Sequence, residues 1–401
     1  MIPRRWAHTY PGEWRDLAQW NRRDSFGEEP AHEQQLLSRW ESAFAKQVGR
    51  PHAAAINSGR KAMGLIFEHL GVGQGDEVIV PAYTFKEILP VFDTLGAKAV
   101  PADIDPETFN MTPASVEGRI SDRTRAILAL HIFGVPCDIH GIMNLANRHG
   151  IPVVEDCAHS LGSSVSGTST GCFGSAAFYS FDLIKLINTF GGGMVLMDDA
   201  ALAARVRSCN QTDPEGFTPV YRKARAARIE QLLFSAGLMY PLLYLLATPA
   251  LKEGMNRLYR RAQSTLRSAV RYDAPQAQLG LHKLTTLEQR IEMRLRCADV
   301  MRSLLHPSIH VQRVPEGCEV CGYAFVVLLP CPAAPVRKQL LLRGIDAAVE
   351  GEIMDDCAAA LGYDDCPVIS DIFPRLLALP MHDRLSEKEA ERVARSLNAS
   401  I

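Results

Sequence analysis

The sequence predicts an α/β protein: a large domain around a mostly parallel sheet, followed by a smaller C-terminal α/β domain. Three observations predict it. Between residues 53 and 197, short runs rich in Val, Ile and Ala alternate with longer stretches of helical period, with Gly or Pro at the joins. From about residue 271 onward the alternation returns on a smaller scale. A chain of 401 residues, 47% hydrophobic and 22% charged, also has enough apolar material for two or three domains.

In chain order, the expected strands are 53–56, 77–80, 99–102, 126–131, 152–155, 176–180 and 193–197, covered by helices over 60–70, 85–95 and 139–149. Further on, 290–304 is amphipathic and suits a helix joining the domains, and 323–329 is a buried-strand run. Ser386-Glu-Lys-Glu389 has the capping pattern that opens a terminal helix over 386–397. The Pro-rich stretch 330–335 is a turn or loop, and no internal repeat is visible. The expected division is 1–212, 213–268 and 269–401.

The middle segment is an apolar helical insertion. Residues 231–251 contain no charge, and a straight helix of that length would be about 30 Å long, enough to span a bilayer. Both flanks are basic, however: Arg222, Lys223, Arg225 and Arg228 precede the run, and Lys252, Arg257, Arg260, Arg261 and Arg267 follow it. Matching basic flanks suit two ends on one anionic surface, and Pro241 can break the helix midway. The expectation is a helix-break-helix element lying in the interface over 229–261, with Leu238, Tyr240, Leu243 and Tyr244 contacting a membrane or a protein partner.

A net charge of -2 gives no reason to expect nucleic acid as a partner. The ten cysteines are scattered, and residues 1–20 lack the apolar run of a signal peptide, so a cytoplasmic protein is expected. Cys318-x-x-Cys321 has no second pair to complete a zinc site, so no metal is expected.

In parallel sheets, ligands collect at the carboxyl ends of the strands. Asn57, Tyr83, Asp156 and Ser180 fall at such ends. Lys185 follows in Phe178-Tyr-Ser-Phe-Asp-Leu-Ile-Lys185, just before Gly191-Gly-Gly193. A lone lysine beside glycines is ordinarily a solvated surface residue. Asp156 and His159, in Val153-Val-Glu-Asp-Cys-Ala-His-Ser160, change that reading, because together the three are the parts of a pyridoxal phosphate site. The lysine can hold the cofactor's aldehyde. A carboxylate about 4 Å from the pyridine nitrogen favours its protonated form by roughly 4 kcal/mol at an effective dielectric of about 20. Asp156 suits that task, although an Asp after a strand is equally well explained as a helix cap.

Asn57-Ser-Gly-Arg-Lys-Ala-Met63 passes from strand to helix, so its backbone N–H groups and the helix dipole suit a phosphate, and Ser180 can add a hydroxyl. In Pro81-Ala-Tyr-Thr-Phe85, either Phe85 or Tyr83 can stack on a cofactor ring, with core packing the alternative for both.

These motifs, in this order, resemble those of the DegT/DnrJ sugar aminotransferases, which are fold-type I pyridoxal phosphate enzymes. The likeness spans nearly the whole chain. Besides 57–63 and the lysine motif, it includes Gly75-Asp-Glu-Val-Ile-Val-Pro-Ala-Tyr-Thr-Phe85, Asp103-Ile-Asp105 and His131-Ile-Phe-Gly-Val-Pro-Cys-Asp138. Glu155-Asp-Cys-Ala-His-Ser-Leu-Gly162 and Leu379-Pro-Met-His-x-x-Leu-Ser386 complete it.

The resemblance implies that Lys185 forms the Schiff base and carries the proton, Asp156 pairs with the pyridine nitrogen, and His159 lies near the phenolic oxygen. It places Gly59, Arg60 and Ser180 on the phosphate and Phe85 on the ring. It further implies a homodimer whose site is completed by the partner subunit. The implied reaction moves an amino group from L-glutamate to a keto group of a nucleotide-linked deoxysugar, for polysaccharide or glycolipid synthesis. Relatives that dehydrate instead carry histidine in place of the lysine, so Lys185 favours transamination.

A lipid-linked or other membrane-proximal ketone is the alternative substrate. An idle scaffold recruiting partners through the insertion is the alternative from another class, and retention of Lys185, Asp156 and His159 together speaks against it. Three departures point to an unusual substrate: Ala269-Val-Arg271 where the family has Asn-x-Arg, Phe190-Gly-Gly-Gly193 where it has Gly-Glu-Gly-Gly, and no Pro-Leu-His after Gly344-Ile-Asp346.

Overall fold

The computed structural model describes residues 1–23, 30–239 and 270–401. Seven strands form the main sheet: β1 (His52–Ile56), β2 (Glu77–Pro81), β3 (Lys98–Ala102), β4 (Thr124–Leu130), β5 (Val153–Asp156), β6 (Ala176–Ser180) and β7 (Gly193–Met197). Their order across the sheet is β1-β7-β6-β5-β4-β2-β3. β7 runs antiparallel to both its neighbours, while the other six share one direction. Their carboxyl ends therefore line one edge, where loops can gather a site.

Side chains alternate between two covered faces, as strand geometry requires. On β2, Val78 and Val80 enter a core with Met63 and Phe67 of the helix Gly59–His69 and Val206 of the helix Ala200–Gln211. Ile79, between them, faces Ile139, Ile142 and Leu145 of the helix Ile139–His149. All five β2 residues are buried, and each large aliphatic so placed stabilises the fold by roughly 1.5–3 kcal/mol. Local sequence sets the helix limits. Asp138 accepts the Gly141 N–H at 2.9 Å, and Gly150, at φ 66°, closes the helix Ile139–His149.

A second sheet joins His310–Val311, Phe325–Leu328 and Leu376–Leu379 in antiparallel register. It closes a separate core containing Met301, Leu340 and Val393. Ile2 lies in that core and its backbone bridges Ile345, so the first residues pack with the C-terminal sheet. The terminal helix Glu387–Asn398 opens on the reciprocal Ser386–Glu389 capping box read from the sequence.

Two features depart from the sequence reading. The stretch 85–95 is not one helix: Phe85 is extended, Lys86–Ile88 form a 3-10 turn, and the α-helix is Leu89–Leu95, with Pro90 in its first turn. The helices Glu13–Arg23 and Pro30–Val48 went unread because their apolar stripes are narrow, carried by Leu17 and Trp20 in one and by Trp40, Phe44 and Val48 in the other.

Of the segment 213–268, the structure describes residues 213–239. They include the helix Thr218–Ser235, whose Val220, Ala224 and Ala227 pack against Leu17 and Phe190. Leu238 is 63% exposed. Tyr240, Leu243 and Tyr244 lie outside the described residues. Among those described, no helix is long and apolar enough to cross a membrane.

Candidate active site

The loop from Phe181 to Gly191 closes on itself, the Phe181 carbonyl accepting N–H bonds from Thr189 and Gly191. It carries Lys185, 9% exposed, whose Nζ donates to the Tyr323 hydroxyl at 3.3 Å. The same Nζ lies 5.9 Å from the Phe85 ring centre. Helices of the C-terminal half hold the loop from outside: Arg290 donates to the Leu186 carbonyl, Lys283 to the Asn188 carbonyl and Gln276 to the Thr189 carbonyl.

Asp156 ends β5 and is 6% exposed. It accepts the Ala158 N–H at 2.9 Å. Burial raises its carboxyl above the usual range, with that hydrogen bond and the charges of Lys185 and His131 pulling the other way. A cationic N–H donor beside it, such as a protonated pyridine nitrogen, would offset the cost of burying the charge.

His159 is buried, and its Nδ1 accepts the Phe133 N–H at 3.4 Å, which leaves the ring proton on Nε2. Burial first, then the charge of Lys185, hold it well below the ordinary histidine value, so it is neutral near pH 7. Its ring stacks on Tyr323 at 4.3 Å and meets Phe85 edge-on at 6.2 Å. Tyr83, the rival aromatic, is 1% exposed and packs edge-on against Phe133 and Phe373 in the core.

The helix Gly59–His69 begins beside Ser180. A Cβ on Gly59 would lie 3.5 Å from Ser180 Cβ, and Ser58 caps the Lys61 N–H at 3.2 Å. Arg60 is part-buried in the first turn. The glycine run makes this approach possible, since a Cβ on Gly193 would stand 2.6 Å from the Tyr179 carbonyl oxygen and 3.0 Å from Gly59 N. Backbone N–H groups at a helix start, a serine hydroxyl and an arginine suit a phosphate. Asn57 turns elsewhere: its amide donates to Asp213 at 2.7 Å.

Glu155, next to Asp156 and 0% exposed, anchors the neighbouring loop by accepting N–H bonds from Gly171, Phe173 and Gly174. His131 lies 3.1 Å from it, and His131, Glu155 and Cys157 bring side-chain donor atoms within 4.8 Å of one another. Four hydrogen-bond partners already satisfy that carboxylate, which accounts for its burial. Cys318 and Cys321 are free thiols, and Cys321 Sγ donates to the His159 carbonyl at 3.2 Å. That contact, with Cys318–Glu319 paired on Ser164–Val165, delivers Tyr323 to the site. Sequence reasoning did not single out Tyr323; the available signal was a polar-tipped aromatic opening the apolar run 323–329.

Lys185, His159, Ser180 and Tyr323 border a cavity of about 10 Å³. A larger groove of about 580 Å³, lined by Trp20, Arg39, Gln278 and His282 among others, shares no residue with it.

A largely parallel sheet with one antiparallel strand, a buried lysine beyond it and a buried aspartate on a nearby strand define the fold-type I pyridoxal phosphate class. Residues 31–398 match the DegT/DnrJ/EryC1/StrS aminotransferase family, and the chain belongs to that family. Over 172 residues, 43% of this chain and 46% of the relative, it is 40% identical to GDP-perosamine synthase of Caulobacter vibrioides. The matched region thus spans about half the length of that curated relative. Among solved structures, the aminotransferase TlmJ from Streptoalloteichus hindustanus superposes with a TM-score of 0.77 at 22% identity, covering 100% of this chain and 98% of that one. S. venezuelae DesV, solved in complex with a ketimine intermediate, gives 0.75 at 24% identity, covering 99% and 98%. Both establish the fold expected from the sequence.

Proposed function

We propose that this protein is a pyridoxal phosphate-dependent aminotransferase moving an amino group, from L-glutamate, to a keto group of a nucleotide-linked deoxysugar for polysaccharide or glycolipid synthesis. The observation that carries the reading is the convergence of Lys185, Asp156 and His159, drawn from separate stretches of the chain, in one buried site. The GDP-perosamine synthase likeness supports the substrate class.

In this reading Lys185 Nζ would tether the cofactor aldehyde and carry a proton to and from the substrate carbon. Asp156 would keep the pyridine nitrogen protonated, and His159 Nε2–H would donate toward the phenolic oxygen. Gly59, Arg60 and Ser180 would hold the phosphate, with Phe85 on the ring. When bound, the cofactor supplies the electron sink for the developing carbanion. Tyr323, stacked on His159, would keep its hydroxyl within reach of Nζ.

The proposal includes a homodimer whose partner completes the site, a cytoplasmic location, and the division at residues 212 and 268. It also includes peripheral contact with the inner face of a membrane through 229–261, of which 240–261 lies outside the described residues. A lipid-linked ketone is the second reading. It is favoured by one observation: Lys223, on the helix bearing exposed Ile229 and Leu232, pairs at 2.5 Å with Asp182, three residues before Lys185.

The test is the visible spectrum of the purified protein with pyridoxal phosphate, before and after L-glutamate, beside Lys185→Ala. A yellow species that bleaches only when Lys185 is present is the expected result. Absence of any bound chromophore would overturn the proposal in favour of an idle scaffold.

A further inference from the structure

The helix Thr218–Ser235 has two faces of opposite character. Val220, Ala224, Ala227 and Phe234 are buried, and Gln231 on the same side donates to the Ala7 carbonyl at 2.9 Å. At 100° per residue, Arg222, Arg225, Ile229 and Leu232 fall within about a quarter of the circumference on the opposite side. All four are exposed, Ile229 at 51% and Leu232 at 58%, and Leu238 just past the helix is exposed at 63%. Single surface aliphatics need no explanation. Here, three of the five large exposed hydrophobics among the described residues fall within ten positions of one another.

The chemistry is graded along the axis. The arginines occupy the first half of the outer face and the aliphatics the second. Arg225 and Leu232 are separated by about 10 Å of helix rise, so a helix lying along a surface presents both ends of the face to it side by side. Arg222 and Arg225 have no ion-pair partner among the described residues. Arg228, at the margin of the face, stacks over Trp14 at 4.5 Å. Beyond the helix the sequence repeats the order in mirror image, with an uncharged run to 251 followed by Lys252, Arg257, Arg260 and Arg261.

A second copy of this chain is the poorer occupant. A second copy would bring the same face, whose outer quarter carries no carboxylate to receive Arg222 and Arg225. Lipid phosphates supply the missing anions and acyl chains the missing apolar contact. We propose, resting on the membrane contact in the proposed function, that this face docks on an anionic lipid surface, with Arg222 and Arg225 at phosphate depth and Ile229, Leu232 and Leu238 below them.

The test is co-sedimentation of the full-length protein with phosphatidylglycerol/phosphatidylcholine vesicles and with phosphatidylcholine vesicles alone. Binding to the anionic vesicles should fall at least tenfold without phosphatidylglycerol, and steeply at high salt. Ile229→Glu with Leu232→Glu should lower it at least tenfold, leaving circular dichroism, elution volume and turnover of a soluble substrate unchanged. Arg222→Gln with Arg225→Gln should lower it roughly tenfold at low salt. Failure of the native protein to pellet with anionic vesicles would overturn the proposal, as would undiminished pelleting of the double glutamate variant. A fall in oligomer mass in that variant without loss of vesicle binding would instead assign the face to contact between copies.

Discussion

Asp156 is 6% exposed, and burial alone would keep its carboxyl protonated for longer than in water. In the proposed reaction its charge is useful only while a protonated ring nitrogen faces it. Asp156→Asn keeps the shape and the Ala158 hydrogen bond but removes that charge. Turnover should then fall about a thousandfold, from the roughly 4 kcal/mol of such a pair at an effective dielectric of about 20, with circular dichroism unchanged. A loss smaller than tenfold would remove Asp156 from the role. Tyr323→Phe keeps the ring on His159 and deletes only the hydroxyl 3.3 Å from Lys185 Nζ, so kcat should fall about tenfold with little change in thermal stability. Lys185, Asp156 and His159 were legible because each closes or follows a strand within a local motif. Phe85 could not be told from Tyr83 in sequence, since what separates them is burial against Phe133 and Phe373, far away along the chain. Tyr323 was illegible for a similar reason: it reaches the site through Cys321, which packs on a loop about 160 residues earlier.

At the scale of elements, Phe190-Gly-Gly-Gly193 departs from the family's Gly-Glu-Gly-Gly only at positions 190 and 191, and the two glycines it shares with that pattern have a backbone task. Gly192 adopts φ 93°, and a Cβ there would stand 2.2 Å from the Tyr272 ring. Gly192→Ala should cost about 3 kcal/mol or more, combining overpacking with left-handed backbone strain, as read from the urea midpoint. Gly73→Ala is the control, because its Cβ meets nothing within 4 Å, and it should change stability by less than about 1 kcal/mol. A Gly192→Ala midpoint equal to that of the control would refute the packing argument. Six of the seven main strands lie within one residue of their expected limits, and β4 begins two residues and ends one residue upstream of its own, because apolar runs bounded by Gly and Pro mark strands well. The helix expected over 85–95 ran together a 3-10 turn and an α-helix, since both present apolar residues at similar spacing. What no pattern could show is that Ile2 belongs to the C-terminal core, a contact formed across more than 300 residues.

For the whole molecule, that long-range closure should depend on pH. His382 Nε2 donates to the Pro3 carbonyl at 3.0 Å while its Nδ1 accepts the Arg384 N–H at 3.2 Å, so the neutral ring ties the first residues to the loop before the last helix. Burial, and next the charge of Arg294, lower it from 6.5 to about 4, against smaller raising effects from the Pro3 hydrogen bond, Asp383 and Glu389. A depressed histidine lets the unfolded chain take the proton first, so stability should decline as pH falls from 6.5 toward 4, by roughly 3 kcal/mol in all. His8, 2.9 Å from Asp383 and also lowered by burial, should add to the loss as pH falls below 6.5. Asp383 acts in a lower one. Although burial pushes its carboxyl up, Arg294 at 2.6 Å, His8 and Arg290 together hold it far below the usual range. Its contribution is therefore complete above about pH 4 and is lost only below that. Urea titrations between pH 7 and 3 should separate the two groups. His382→Gln, whose amide can still donate to Pro3, should flatten the curve between 6.5 and 4 while leaving the steeper fall below it. Asp383→Asn should cost about 3–5 kcal/mol at pH 7 by leaving Arg290 and Arg294 buried without their carboxylate, and should blunt the fall below pH 4. A His382→Gln curve parallel to the native one down to pH 4 would show that another group controls the upper window.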